Sequence, residues 1–372
     1  MQQVPTEVPL PDKVAAPPGR GLTLASVVLL LLCVAALSAV VLYPEKVLVV
    51  RPSAVAIEAE EGAAALIGAN NGGTGAGVRV CVVDSGIDLE HPDLAAVELA
   101  GWNDLVNDLV EPYDDHGHGT AMAGLLVADG GLTGLAQDVE LLVAKALAST
   151  GEGDDEAVAE AIEWCQQNGA HIISLSLGGA PGALSFLPGS DRASEGAAEQ
   201  AISQGIFVVA AAGNDGGSED DGDVASPGSV QRVISVGAVH LDGTLWSGSS
   251  IGDNDGRVWP LPMLFPRQDP DKKPELMAPG AGVAVLHAES GGWSLVDGTS
   301  AATVHVTAAL ALLLEQRPDL RSGGLNNSAE QTIDNVKQTL METAKPQPGQ
   351  EDHDDSYGYG IVRVDRLLAA YA

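Results

Sequence analysis

From about residue 75 onward, apolar and polar positions come in blocks whose period changes. "VRVCVV" (78–83), "VELLVAKAL" (139–147), "HIISLSL" (171–177), "IFVVAAA" (206–212) and "RVISVGAV" (232–239) are short, nearly unbroken apolar runs. Runs of this length, rich in Val and Ile, read as strands buried on both faces. Between them, "HGTAMAGLLVA" (118–128) and "DDEAVAEAIEWCQQ" (154–167) read as helices, the second amphipathic. A further buried helix starts near Ser300 in "VDGTSAATVHV" (296–306). Strands alternating with helices predict an α/β fold: a mostly parallel central sheet covered on both faces, in three layers. No repeat of fixed period interrupts it.

Upstream the pattern differs. Residues 22–43, "LTLASVVLLLLCVAALSAVVLY", carry no charge. At ~1.5 Å per residue they reach across a hydrocarbon core of ~30 Å. A cleaved signal peptide has a shorter apolar region after a basic start. The longer run behind a proline-rich tail (1–21) therefore predicts one N-terminal transmembrane helix, a single-pass anchor. Lys13, Arg20 and the N-terminal amine before the span, against Lys46 and Arg51 after it, lean towards placing the large domain outside the cytoplasm. Residues 44–74, ending in "GANNGGTGAG", read as a linker. The remainder, 75–372, reads as one domain.

Composition narrows the chemistry. Hydrophobic residues make up 45% of the 372, enough for a sizeable core. A formal net charge of -33 argues against a nucleic-acid partner, which needs stripes of Lys and Arg. Three cysteines make no disulfide framework; Cys81 and Cys165 read as free core thiols.

Ser300 by itself reads as a helix cap, since Ser and Thr oxygens accept orphan N–H groups at helix starts. Other residues change that. Ligands of parallel sheets gather beyond the carboxyl ends of the strands. Asp84 ends one strand, Asn214 follows another, and His118 opens a helix. Nucleophilic serine chemistry needs a base, a carboxylate to orient it, and donors for the oxyanion. Asp84, His118 and Ser300 offer the carboxylate, the base and the serine itself, in an order seen in subtilisin but not in chymotrypsin or the α/β-hydrolases.

"VVDSGID" with "HPDL", "HGHGTAMAG", "SLSLGG", "AAAGN", "KPELMAPG" and "GTSAATVHV" together resemble the motifs of the subtilisin-like serine peptidases. The resemblance covers roughly residues 75–372 and implies a serine endopeptidase acting on protein or peptide substrates, which the 22–43 span would anchor to a membrane. It implies Ser300 as nucleophile, His118 as general base, Asp84 as its orienting group and Asn214 as an oxyanion donor. Ser176, Leu177 and Gly178 would pair with substrate backbone. Asp215, with Glu152, Asp154 and Asp155, would favour basic residues on the acyl side. No cofactor is needed for the chemistry, but structural calcium is implied, with Asp93 as a matching ligand. His116 is a rival base that the H-G-T pattern sets aside; His305 packs behind the site.

Three positions depart from the family's pattern. Ala301 and Val304 stand where it usually has Met and Pro, and Ala121 where a second His is common. None of these is a proton-transfer group. A peptide-binding pseudoprotease and a ligase or cyclase remain the alternatives, and no folded propeptide has an evident counterpart. An inserted segment, 252–273, carries Trp259, Leu261, Met263, Leu264 and Phe265, which read first as packing their own loop down, with a partner-binding or membrane-facing patch as the alternative.

Overall fold

The structure, a computed structural model, describes residues 24–42, 51–69, 73–178, 193–220, 222–255, 266–323 and 328–372. It divides at Val50 into two units. The first holds one helix, α1 (Leu24–Leu42), with no charged residue. Its described side chains, Leu29 and Leu31 among them, are exposed. Among the described residues no helix is long and apolar enough to cross a membrane, and the side chains of α1 are described only as far as Ser38.

The second unit opens with α2 (Ala54–Ile67), where glycine and alanine content points to a linker. The difference has a physical reason: alanine has the highest helix propensity, and Ser53 and Gly68 cap the segment at its two ends. Ala56, Ala59, Ala63 and Ile67 form its buried face. The folded unit therefore begins near Arg51 rather than at residue 75.

After α2 come β1 (Arg79–Asp84), β2 (Gly101–Asp104), α3 (His118–Val127), β3 (Glu140–Lys145), α4 (Asp155–Gln167), β4 (Ile172–Leu175) and α5 (Ala193–Ser203). Then follow β5 (Phe207–Ala211), β6 (Ile234–His240), β7 (Leu276–His287), β8 (Gly292–Asp297), α6 (Thr299–Gln316), α7 (Ala329–Thr343) and α8 (Val364–Ala370). Among the described residues the strands form one sheet in the order β2-β3-β1-β4-β5-β6-β7-β8. Every neighbouring pair is parallel except the β7–β8 hairpin.

Side chains alternate faces along a strand, which assigns the layers. Cys81 on β1 is bonded to Cys165 on α4. Asp84, of opposite parity, points to the other face, where it meets His118 of α3. Ser174 on β4 stands in register with Val82, and its hydroxyl accepts from Thr307 of α6. So α3 and α6 cover one face and α4 the other. Every residue of α6 from Thr299 to Leu314 is buried, which is why its sequence shows no polar stripe.

The Cys81–Cys165 pair is a disulfide, with Cα atoms 5.8 Å apart, rather than two free thiols. A separation of 84 residues hides the pairing from local pattern; only the packing of α4 on β1 brings the sulfurs together. Trp259, Leu261, Met263, Leu264 and Phe265 lie outside the described residues, as does the tail 1–21.

Candidate active site

Two glycines bring Asp84 and His118 together. Gly86, at φ +119°, turns the chain after β1, and a Cβ there would lie 2.0 Å from Tyr113 O. A Cβ on Gly119, the residue after His118, would lie 2.1 Å from Gly86 O. The two turns pack backbone on backbone, so any side chain at either position would drive them apart. His118 Nδ1 then lies 2.8 and 3.0 Å from the two oxygens of fully buried Asp84. An ionised carboxylate only accepts, so Nδ1 carries the proton and Nε2 presents a lone pair to the cleft. Burial pulls the His118 pKa down. The charge and hydrogen bond of Asp84, with the charge of Asp114, outweigh it and hold the pKa above the ordinary histidine value.

Asp114, which the sequence reading passed over, holds this turn. Its carboxylate accepts from Ser85 Oγ (2.9 Å), His116 N–H (3.1 Å), Gly117 N–H (2.8 Å), Thr120 N–H (2.8 Å) and Thr120 Oγ (2.6 Å). It serves as the side-chain cap that Gly117 cannot provide for α3. Burial raises its pKa, but the bonds from Thr120, Gly117 and Ser85 outweigh that and leave it low. Lys145, fully buried, donates to Ser85 O (2.6 Å), Leu147 O (2.9 Å) and Asp115 (2.6 Å), pinning the same turn from the β3 side. The acid pair in "YDDHGHG" was the available signal for Asp114 and Asp115.

Ser300 is the second residue of α6, whose N-cap position belongs to Gly298. Its hydroxyl does not cap the helix; it donates to Ser176 O at 3.0 Å. Its backbone N–H belongs to the first turn, where N–H groups have no intrahelical partner. Thr299 N–H and Thr299 Oγ both reach Asn214 Oδ1, at 2.9 Å each. A backbone N–H can only donate, so the atom facing it is the amide oxygen, and Nδ2 is the end of Asn214 left for another acceptor.

Two cavities meet at Ser300. One, of about 810 Å³, is lined by Ser176, Leu177, Gly178, Asn214, Asp215 and Ala225 among others. The other, of about 470 Å³, lies on the far side of His118. His116, His118, Asn214 and Ser300 line both. The fold thus gathers Asp84, His118, Ser300, Asn214 and the 176–178 segment at one cleft.

Comparison with known proteins accounts for that geometry. The model of the subtilase family matches residues 75–360. Subtilisin DY of Bacillus licheniformis is 34% identical over 294 residues, covering 78% of this chain and 90% of that protein. Serine protease AprX of Bacillus subtilis is 33% identical over 320 residues, 79% of this chain and 67% of that one. Subtilisin NAT of Bacillus subtilis subsp. natto is 34% identical over 268 residues, 71% and 62% of the two chains. The chain belongs to the subtilase family. It is a serine-type endopeptidase.

Subtilases need no cofactor for catalysis and often bind structural calcium. In this subtilase, the residues around Asp93 do not fit a cation. The Asp93 carboxylate accepts from Gly131 N–H (2.7 Å), Leu132 N–H (2.9 Å) and the Trp293 indole N–H (2.7 Å). These donors aim positive hydrogens where a cation would sit, while calcium wants 6–8 oxygens. Glu60 of α2 accepts from the next loop amide, Thr133 N–H. Asp93 is therefore a loop anchor here, and among the described residues no group of three or more acids, histidines or cysteines stands ready for a metal.

The acids expected beside the cleft also sort themselves. Asp155 takes both the hydroxyl and the N–H of Ser194, and Asp154 stands at the N-cap position of α4 without a side-chain capping bond. Glu152 and Asp215 line the larger cavity, with Asp215 also accepting from Ser250 Oγ. His305 packs behind the site as a buried group, its Nδ1–H donating to Ala301 O at 2.7 Å.

Proposed function

We propose that this subtilase hydrolyses peptide bonds through an acyl-enzyme on Ser300, as a membrane-anchored, extracytoplasmic endopeptidase. The observation that carries the mechanism is the His118–Asp84 pair opening on the cleft that holds Ser300 at the start of α6. Substrate backbone pairs with Ser176, Leu177 and Gly178, beyond the end of β4, and the Ser300 hydroxyl swings from Ser176 O to His118 Nε2. His118 takes the proton as Oγ attacks the scissile carbonyl. The oxyanion accepts from Ser300 N–H and Asn214 Nδ2. His118, held in this tautomer by Asp84, then hands its proton to the leaving amine, and water repeats the sequence on the acyl group.

A wild-type protein that reacts stoichiometrically with a fluorophosphonate supports this reading. Ser300→Ala, expected to lower kcat about six orders of magnitude, or roughly 8 kcal/mol of transition-state stabilisation, should not react. Asn214→Ala should cost about 10²–10³. Substantial peptidase activity in purified Ser300→Ala refutes the assignment.

The anchor rests on the uncharged run 22–43. The extracytoplasmic placement gains support from the Cys81–Cys165 disulfide, because such bonds persist mainly in oxidising compartments. Full-length protein should stay in the membrane pellet after alkaline carbonate extraction, and its catalytic unit should be open to added protease from outside the cell. Release by carbonate, or protection in intact cells, overturns this part.

A further inference from the structure

Two of the three departures from the family pattern fall in one place. Ala121 stands three residues after His118, one turn along α3 and on the same face. Ala301 follows Ser300 directly. Both line the smaller cavity, of about 470 Å³, at Ser300. Where the family usually offers longer side chains, this wall offers two methyl groups. The rest of the cavity is apolar at depth: Met122 of α3 and Val285 and Leu286 of β7 are all buried. Its one acid, Asp297, sits at the exposed rim. The opposite cavity, holding the 176–178 segment, is instead bordered by Glu152, Asp155, Asp215 and Asp223.

The chemistry assigns the two sides, resting here on the mechanism proposed above. The acyl half of the substrate runs along 176–178. The leaving amine must collect its proton from His118, so the residue it belongs to lies in the cavity beyond the imidazole. We infer that this cavity is a specificity pocket for a bulky apolar residue directly after the scissile bond, opened by Ala121 and Ala301. A Leu, Met or Phe there covers half-buried Ala288 and Val296, which line the same cavity, and leaves water; Gly leaves the cavity wet, and Asp meets a largely apolar wall.

The test uses internally quenched peptides identical except for the residue after the cut, set to Gly, Asp, Leu or Phe. Wild-type protein should cleave the Leu and Phe peptides with kcat/KM about tenfold or more above Gly, the discrimination available to an apolar pocket. Ala301→Leu and Ala121→Leu, on different helices, each fill the pocket and should compress that ratio to less than about threefold. The readout is the ratio, so a general loss of rate does not mimic it. A flat profile in wild-type protein that still reacts with fluorophosphonate overturns the pocket and leaves the mechanism standing. So does an undiminished ratio in both filled variants. Wild-type protein that neither reacts nor cleaves defeats both. Should neither variant fold, the wild-type profile decides alone.

Discussion

Removing the Cys81–Cys165 bond should weaken the catalytic unit by an amount set mainly by chain topology. The bond closes a loop of 84 residues between β1 and α4. In the chain-entropy account a loop of that length raises the free energy of the unfolded ensemble by about 4.5 kcal/mol. Both cysteines are fully buried, so replacement by Ala adds a packing loss of about 1 kcal/mol or more at each. Reduction of the unaltered protein removes the crosslink but leaves the sulfurs in place, which separates the two contributions. Unfolding entropy near 2.1 cal/mol/K per residue, over roughly 320 residues, converts 4.5 kcal/mol into a fall in Tm of about 7 °C. The measurement is calorimetric melting of oxidised and reduced protein, both in the Ser300→Ala background to prevent self-digestion. A thiol count in denaturant without reductant gives the starting state. A Tm within about 2 °C between the two forms would refute the topological argument, and two extra titratable thiols in the untreated protein would refute the bond itself.

Three further outcomes follow from the site. Because His118 must be neutral to act as a base and its pKa is held up by Asp84 and Asp114, the acid limb of kcat/KM should lie above the ordinary histidine value; Asp114→Asn, which deletes one of those charges, should move the limb to lower pH, and an upward or absent shift counts against the electrostatics. Burial holds the His305 pKa down to about 4, so the unfolded chain takes up a proton that the native state refuses. Stability should therefore fall as pH drops from about 6.5 through 4, by about 3 kcal/mol in full, and His305→Gln should flatten that part of the stability curve measured by denaturant unfolding in the Ser300→Ala background. Asp215→Asn should reduce any preference for Lys or Arg on the acyl side by a few-fold at low salt, and less at high salt, since exposed charge pairs contribute only ~0.2–1 kcal/mol and are screened; a peptide-library profile unchanged by the substitution at either ionic strength removes Asp215 from the specificity argument.

What could be read from the sequence was what local periodicity encodes. β1, β3, β4, β5 and β6 are short apolar runs, and each lies where its run of Val, Ile and Ala places it, within a residue or two, whereas β2, "GWND", carries no apolar run and was not legible. The residues of the proposed triad were legible as candidates because glycine-flanked polar residues at strand and helix ends have few structural reasons to exist. The β7–β8 hairpin was not legible: "LMAPGAGVAVLH" carries Pro279 and five Gly or Ala residues that mask its extended backbone. Its pairing with β8 places Val285 opposite Ser294, a register only the folded sheet can set. Nor was α2, whose alanines signal helix but whose glycine-rich sequel signals linker.

Asp93 marks the limit of reading function from a matched residue. An aspartate in that position says only that a negative charge stands beside the loop after α3; what neutralises it depends on groups far away in the chain. Here they are the amides of Gly131 and Leu132 and the indole of Trp293, 200 residues distant. Trp293 reaches it because the β7–β8 hairpin, itself invisible in the sequence, carries the indole across to the loop. There His91 donates to Gly292 O from the other side and meets the Trp293 ring edge-on at 6.1 Å. Three N–H donors with fixed geometry do for this carboxylate what a cation's charge would do. Being covalently part of the chain, they cannot be stripped by a chelator. The same long-range logic governs the proposed catalytic pair: Asp84 and His118 are recognisable singly, but the bond between them exists because Gly86 and Gly119 let two turns touch.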